Sequence, residues 1–463
     1  MAKKAIVTAL SVLLVFLLAA CSTSSTEQSA ANNSGAAAGG KTKLTYWTND
    51  RSDADYIKEV IKKYNETNTD NLEVEINIMA DNYDQSVEIA FASKQSPDIL
   101  RVDFNKLVPW VQKGFLTPLD PYISADMKAK FANTLVEEKN LYKGSIYSLP
   151  NVGQMWRLIY NVDLFEKAGL KEPPKTLAEF VEYAKKLTEA GKSTGAYGFA
   201  ANFKNSSSID RVIYPIATLS GTGVVEGYNF KTGKYDFGAY KAAVEALHQM
   251  RQDGSMMPGV ETLDIDPLRA QFAEGKIGMY INHSAEPAVY KNQFPAKIRW
   301  AAAPVPTVDG KMNGATMVNG GAYLSISKDS ANKEKAWKFL EYMYSDEVQK
   351  GYHEQGYGVS ILPHITEKAK APSIAGMEGF IPTKYDAIYP AAPTFTVEGK
   401  LEGMKKSDVL IRYIIQGGDL DKSIQDLNLR YNAAMEVVKA AGATQPLVDP
   451  NFEPASLQGK LGK

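Results

Sequence analysis

The sequence predicts an α/β protein built as two domains, and three observations carry that prediction. The chain has 463 residues, beyond the roughly 250 to 300 at which one hydrophobic core stops growing. From residue 43 onward, segments with a period of two alternate with segments of helical periodicity, which implies βαβ units and parallel strand pairing. The composition, 44% hydrophobic and 23% charged with 35 Gly and 22 Pro, is that of a globular chain, and neither an internal repeat nor a coiled-coil heptad is present.

The ordered pattern begins at Lys43. Leu44-Thr45-Tyr46-Trp47 reads as a first strand and Thr48-Asn49-Asp50-Arg51 as a turn; Tyr56, Val60 and Tyr64, spaced by four beside Ile57 and Ile61, make the buried stripe of a helix. Leu72, Val74, Ile76 and Ile78 alternate with Glu73, Glu75 and Asn77, the signature of a half-buried strand. A helical stretch holding Val87, Ala90 and Phe91 leads into a short strand, Asp98 to Val102. Trp156 to Tyr160 is strand-like, and Thr176 with Glu179 forms a capping box for a helix whose stripe is Leu177, Phe180, Val181, Ala184 and Leu187. Further helices are expected over 240–250, 268–273, 334–344, 404–415 and 420–438, and strands over 277–281, 299–305 and 318–327.

Upstream of these elements, Lys3 and Lys4 precede an apolar run, 5–20, that is shorter than the roughly 20 residues a membrane span needs. It reads as a secretory leader. The run ends Leu18-Ala19-Ala20-Cys21, which looks like a bacterial lipobox, so Cys21 is expected to carry lipid and to anchor the mature chain. As the one cysteine in the sequence it cannot form an intramolecular disulfide. Residues 22–41, rich in Ser, Thr, Asn, Ala and Gly, read as a flexible tether.

The chemistry of the sequence argues against several classes of function. With 52 Lys and Arg against 53 Asp and Glu there is no basic footprint for nucleic acid, and an uncharged or weakly charged ligand fits better. The histidines His248, His283, His353 and His364 lack metal-ligand spacing, and no cofactor is expected. Gly191-Lys192-Ser193-Thr194-Gly195 matches a nucleophile-elbow pattern but follows a helix where a strand is required. Asp419, Asp421 and Ser423 have calcium-loop spacing, yet Ile424 and Arg430 stand where that loop needs glycine and a bidentate acid.

What remains is aromatic and amide chemistry of the kind that binds sugars, whose apolar faces stack on rings while their hydroxyls pair with Asp, Asn, Gln and Arg. Trp47, Asn49 and Asp50 lie at the C-terminal end of the first strand, where α/β sheets bind ligands. Asp103 and Phe104 follow the next strand end, Gln154 and Trp156 flank an expected crossover, Arg211 and Tyr214 share a helical segment, and Gly320 and Gly321 follow Asn319. Each of these residues has a structural reading, as core or turn, beside the ligand-binding one.

Laid end to end, 43–362 resembles the family 1 extracellular solute-binding proteins, the maltose-binding-protein-like group that serves sugar ABC importers. The resemblance rests on Ser96-Pro97-Asp98-Ile99, Gly114-Phe115-Leu116-Thr117-Pro118-Leu119, Tyr147-Ser148-Leu149-Pro150, Leu158 to Phe165, Phe272 to Met279, and Ala336-Trp337-Lys338-Phe339-Leu340, in that order. It implies a two-lobed, periplasmic-binding-protein-like type II fold with discontinuous lobes and a hinge, crossing near 150–154, 302–304 and 346–356. The expected organisation is a leader over 1–20, a lipidated tether over 21–42, one lobe from 43–150 plus 304–350, and the other from 151–303 plus 351–463.

By the same resemblance, Trp47 to Asp50, Asp103, Phe104, Gln154 and Tyr214 line the cleft. One departure stands out: where many relatives place a glycine and a stacking tryptophan, this chain has His283-Ser284-Ala285-Glu286-Pro287, so a polar contact from Glu286 is expected instead. The implied function is capture of a sugar by a monomeric lipoprotein on the outer face of the cell membrane, for delivery to the transmembrane subunits of an ABC importer. A glycan-active surface enzyme and a sugar-sensing receptor or adhesin on the same scaffold are the competing readings.

Overall fold

The computed structural model describes residues 40–461 except Ala80, Phe104, Ala322 and Gln445. The expected leader and Cys21 lie outside the described residues. Two mixed sheets organise everything that follows.

In the first sheet the strand Thr42–Thr48 lies between Leu72–Ile78 and Ile99–Arg101, parallel to both, and Leu324–Ser327 and Leu116–Thr117 complete the order. Alternation along the central strand buries Leu44 and Tyr46 on one face, against Ile57, Val60, Ile61 and Tyr64 of the helix Ala54–Thr67 and Phe339 and Leu340 of Lys333–Met343. Ile99 joins that core. Its neighbour Leu100 points to the opposite face and packs with Tyr83, Val87, Phe91 and Trp110, as a strand's period of two requires.

The second sheet has the order Trp300–Ala303, Trp156–Asn161, Ile277–His283, Tyr197–Phe199. The helix Leu177–Gly191 starts at the capping box expected from Thr176 and Glu179 and buries Leu177, Phe180, Val181, Ala184 and Leu187. It packs so close to the strand that a Cβ on Gly198 would fall 1.8 Å from the Ala184 carbonyl oxygen. The C-terminal helices Lys406–Gln416 and Leu420–Ala440 add Val409, Leu410, Ile414, Leu427 and Tyr431 to the same core. Arg157, in the middle of the sheet, is tied to this C-terminal region by two 2.8 Å hydrogen bonds to Asp386, both side chains being 2% exposed or less.

Packing departs from the expected segment limits in two places. Val305, Ala315, Met317 and Val318 join the core of the second sheet, so the second crossing follows Val318 and does not fall at 302–304; Trp300–Ala303 is the edge strand of that sheet. Residues from 351 onward were expected in the other lobe; Val359, Ile361 and the chain from Met377 do join the core of the second sheet, but Tyr352, Leu362 and Ile365 join that of the first. The crossing segments lie side by side: Gly153 N–H donates to Val359 at 2.8 Å, and Gln154 and Asn319 exchange backbone hydrogen bonds of 3.0 and 3.2 Å.

Candidate functional site

A polar cavity of about 380 Å³ opens over these crossing segments. Asn151 to Gln154, Asn319 to Gly321 and Gly358 form its base; Asn49 to Ser52, Arg101, Asp103 and Asn105 line it from the C-terminal ends of the first sheet; Arg269 and His283 to Ala285 line it from the second. Position on the strand decides which side chains are available. The ladder between the first two strands ends at Thr48 opposite Ile78, so Asn49 and Asp50 lie just beyond it and are released into the cavity.

Arg101 organises the first wall. Its Nη1 donates to Asn49 Oδ1 at 3.1 Å and lies 3.0 Å from Asp50 Oδ2, while Asn49 Nδ2 donates to Asp103 Oδ2 at 3.0 Å. Burial disfavours the Asp50 carboxylate, but the Arg101 guanidinium and two hydrogen bonds from Ser52 outweigh it and hold the group below its ordinary pKa. Asp53, just beneath, has no ion pair among the described residues. Burial and the charge on Asp50 push its carboxyl up to about 8, while the Tyr352 hydroxyl donates to it at 2.7 Å. Across the cavity, burial and the neighbouring Arg211 push His283 down to about 4, so its imidazole is neutral at pH 7.

Two buried atoms of this wall have no hydrogen-bond partner among the described residues, Arg101 Nε and Asn105 Oδ1. Buried polar groups are as a rule satisfied. At the cavity itself Asn49, Asp50, Asp103, Gln154 and Arg269 offer a ligand both donors and acceptors. Among the described residues no cluster of three or more His, Cys, Asp or Glu is placed to hold a metal ion.

Of the residues expected from sequence, Asn49, Asp50, Asp103, Gln154, Gly320 and Gly321 line the cavity together. Gly321 sits at φ +59, the left-handed region that favours glycine. Phe104 lies outside the described residues. The other five are placed elsewhere. Trp47 packs half-buried against the core of Tyr83, Val87 and Phe91, because it faces away from Tyr46 on the same strand. Trp156 stands edge-on to the His283 ring at 5.6 Å, a cross-strand pair behind the cavity lining. Tyr214 is buried against Tyr240, and Arg211 donates to Asn282 Oδ1 at 3.3 Å. Glu286 is fully buried and bound to Arg269, so it does not offer the expected ligand contact itself.

Sequence reasoning missed Arg101, Asn105, Arg269, His283, Tyr352 and Tyr357. Arg101 did carry a signal, a charged residue at the C-terminal end of an otherwise apolar strand. Arg269 carried none, since a helix with one arginine on its surface is unremarkable until its neighbours are known.

The comparisons with known proteins agree with this architecture. A binding protein of Brucella abortus (strain 2308) is 27% identical over 335 residues, 72% of this chain and 78% of the relative. The galactooligosaccharide-binding protein of Bacillus subtilis (strain 168) is 24% identical over 352 residues, 73% of this chain and 76% of that one. Among solved structures, the GacH receptor of Streptomyces glaucescens, determined unliganded and with acarbose, shares the fold with a TM-score of 0.68 at 19% identity, covering 86% of this chain and 99% of that chain. The family model for bacterial extracellular solute-binding proteins matches residues 49–350, which takes in the second sheet, the first sheet apart from its central strand Thr42–Thr48, and nearly the whole cavity lining, and the chain belongs to that family.

Proposed function

We propose that this protein captures a sugar or oligosaccharide in the cavity between its two sheets and passes it to the transmembrane subunits of an ABC importer, without altering it chemically. The observation that carries the reading is the cavity wall: amides, carboxylates and arginines in a fixed network that lines the cavity with donors and acceptors together. A ligand rich in hydroxyls supplies both a donor and an acceptor for such a wall. The sugars named for the Bacillus relative and the Streptomyces receptor support the same ligand class.

Titrating the protein with a panel of oligosaccharides, while following heat, melting temperature and the chromatographic profile of the sugar, tests it. Binding that returns the sugar unchanged is the expected result. Product formation favours a glycosidase, and no binding across the panel refutes the proposal.

Placement at the cell surface through lipid on Cys21 belongs to the same proposal, supported by the leader and lipobox. None of the helices among the described residues is long and apolar enough to cross a membrane. Mass spectrometry of membrane-bound protein should find Cys21 acylated at the mature N-terminus. The lobes of this proposal are 43–150 with 322–358 and 362–365, and 151–321 with 359–361 and 366–461, moving about the three crossing segments.

A further inference from the structure

We infer that Arg269, held by the buried Glu286, is the residue that reads a pair of adjacent hydroxyls on an uncharged ligand; the inference rests on the reading of the cavity as a saccharide site. The helix Ile265–Ala273 brings Arg269 to the cavity wall, where its side chain keeps 12% exposure. Behind it, Glu286 is fully buried at the start of Glu286–Asn292. Arg269 Nε lies 3.1 and 3.2 Å from the two carboxylate oxygens, and Nη2 donates to one of them. The Tyr280 hydroxyl and Asn282 Nδ2 each donate to the same carboxylate at 2.8 Å. A carboxylate offers about four acceptor positions. Glu286 is therefore filled by the protein and has nothing left for a ligand.

Arg269 is not filled. A guanidinium has five N–H donors in a rigid plane. Glu286 takes the one on Nε and one on Nη2, and Asp266 takes one on Nη1 at 3.2 Å. One N–H remains on each terminal nitrogen, two donors in one plane at the wall of the cavity. That is the arrangement that meets two neighbouring hydroxyl oxygens at once. Beside them Ala285, a methyl group, lines the wall. Among the described lining residues no tryptophan, tyrosine or phenylalanine stands beside Arg269 and His283 on this side, so recognition here is by fixed donors.

Charge sets the ligand class. The three arginines on the cavity are each matched: Arg51 by Asp266 at 3.4 Å, Arg101 by Asp50 at 3.0 Å, and Arg269 by Asp266 and Glu286. Asp103 adds a further carboxylate, and the depressed His283 adds no cation at neutral pH. Among the described cavity-lining residues no cation is left over to neutralise an acidic ligand, so a neutral polyol is favoured over a carboxylated or phosphorylated one.

The test uses the full mature chain and calorimetric titration with maltotriose, raffinose, galactotriose and the anionic trigalacturonate. Wild type should bind at least one neutral saccharide and bind trigalacturonate more weakly. Arg269→Met/Glu286→Gln, which removes both charges together and so leaves no buried carboxylate unpaired, should fold and weaken the neutral saccharide by roughly 30-fold or more, the effect of losing two hydrogen bonds to a charged donor.

Glu286→Gln alone leaves Arg269 charged, with Asp266, which it shares with Arg51, as its one remaining carboxylate partner. It should raise the ratio of trigalacturonate to galactotriose affinity at least tenfold, a change that a merely structural role would not produce. Unchanged neutral-sugar affinity in the double variant, or a wild-type preference for trigalacturonate, overturns this inference while leaving sugar capture intact. Absence of binding to every saccharide overturns the capture reading and this inference with it.

Discussion

Replacing Asp53 by asparagine should remove a pH-dependent destabilisation that the fold imposes on itself. Asp53 is 3% exposed, and burial together with the charge on Asp50 raises its carboxyl from about 3.8 in the unfolded chain to about 8. Between those two values the folded protein keeps a proton on Asp53 that the unfolded chain has released. Stability from this group is therefore complete at acid pH and is lost as pH rises, by about 1.4 kcal/mol per unit until the folded carboxyl ionises.

From pH 5 to pH 7 the wild type should lose roughly 2 to 3 kcal/mol through this one group. The substituted amide mimics the protonated carboxyl, can still accept from the Tyr352 hydroxyl, and does not titrate. The difference in unfolding free energy between Asp53→Asn and wild type, measured in urea at pH 5, 6, 7 and 8, should grow steadily in favour of the variant. A constant difference would show that Asp53 is ionised in the folded state, and that Arg101 reaches it more effectively than burial opposes it.

Other predictions follow from the same contacts. Trp47→Ala should lower the apo melting temperature and cost about 2 to 3 kcal/mol of stability while leaving sugar affinity nearly unchanged, because the ring packs with Val87 and Phe91 away from the cavity; a large loss of affinity at constant stability would return it to the binding wall. Arg51→Ala breaks an exposed pair with Asp266 that joins the two sides of the cavity, so stability should change by less than about 1 kcal/mol while stopped-flow release of bound sugar accelerates a few-fold. Asp386→Asn strips the partner from Arg157 at 2% exposure and should cost about 3 to 5 kcal/mol in denaturant unfolding, with retention of wild-type stability refuting the assigned role of the pair.

Most elements of the fold are legible in the sequence because each rests on local periodicity. The stripe of Ile57, Val60, Ile61 and Tyr64, the capping box of Thr176 and Glu179, and the alternation over 72–78 need only the spacing of side chains along one segment. Asn49 and Asp50 were legible for a similar reason, since they follow the end of a parallel strand, where the backbone ladder stops and side chains are free to meet a ligand.

Tertiary structure alone decided the rest. Tyr46 and Trp47 are equally plausible as cavity or core until both faces of the sheet are covered, and packing on both sides then buries Tyr46 in one core and sets Trp47 against the other. Val305, Ala315, Met317 and Val318 stay with the second sheet, and Tyr352, Leu362 and Ile365 join the first while Val359 and Ile361 between them join the second, because of contacts with distant parts of the chain that no local pattern encodes. Arg269 and Glu286 are separated by a strand and a turn, and only the packing of the helix Ile265–Ala273 on that strand closes their ion pair. Periodicity records which residues leave water; which charge meets which, and which ring faces a cavity, depends on the partners that folding brings from elsewhere in the chain.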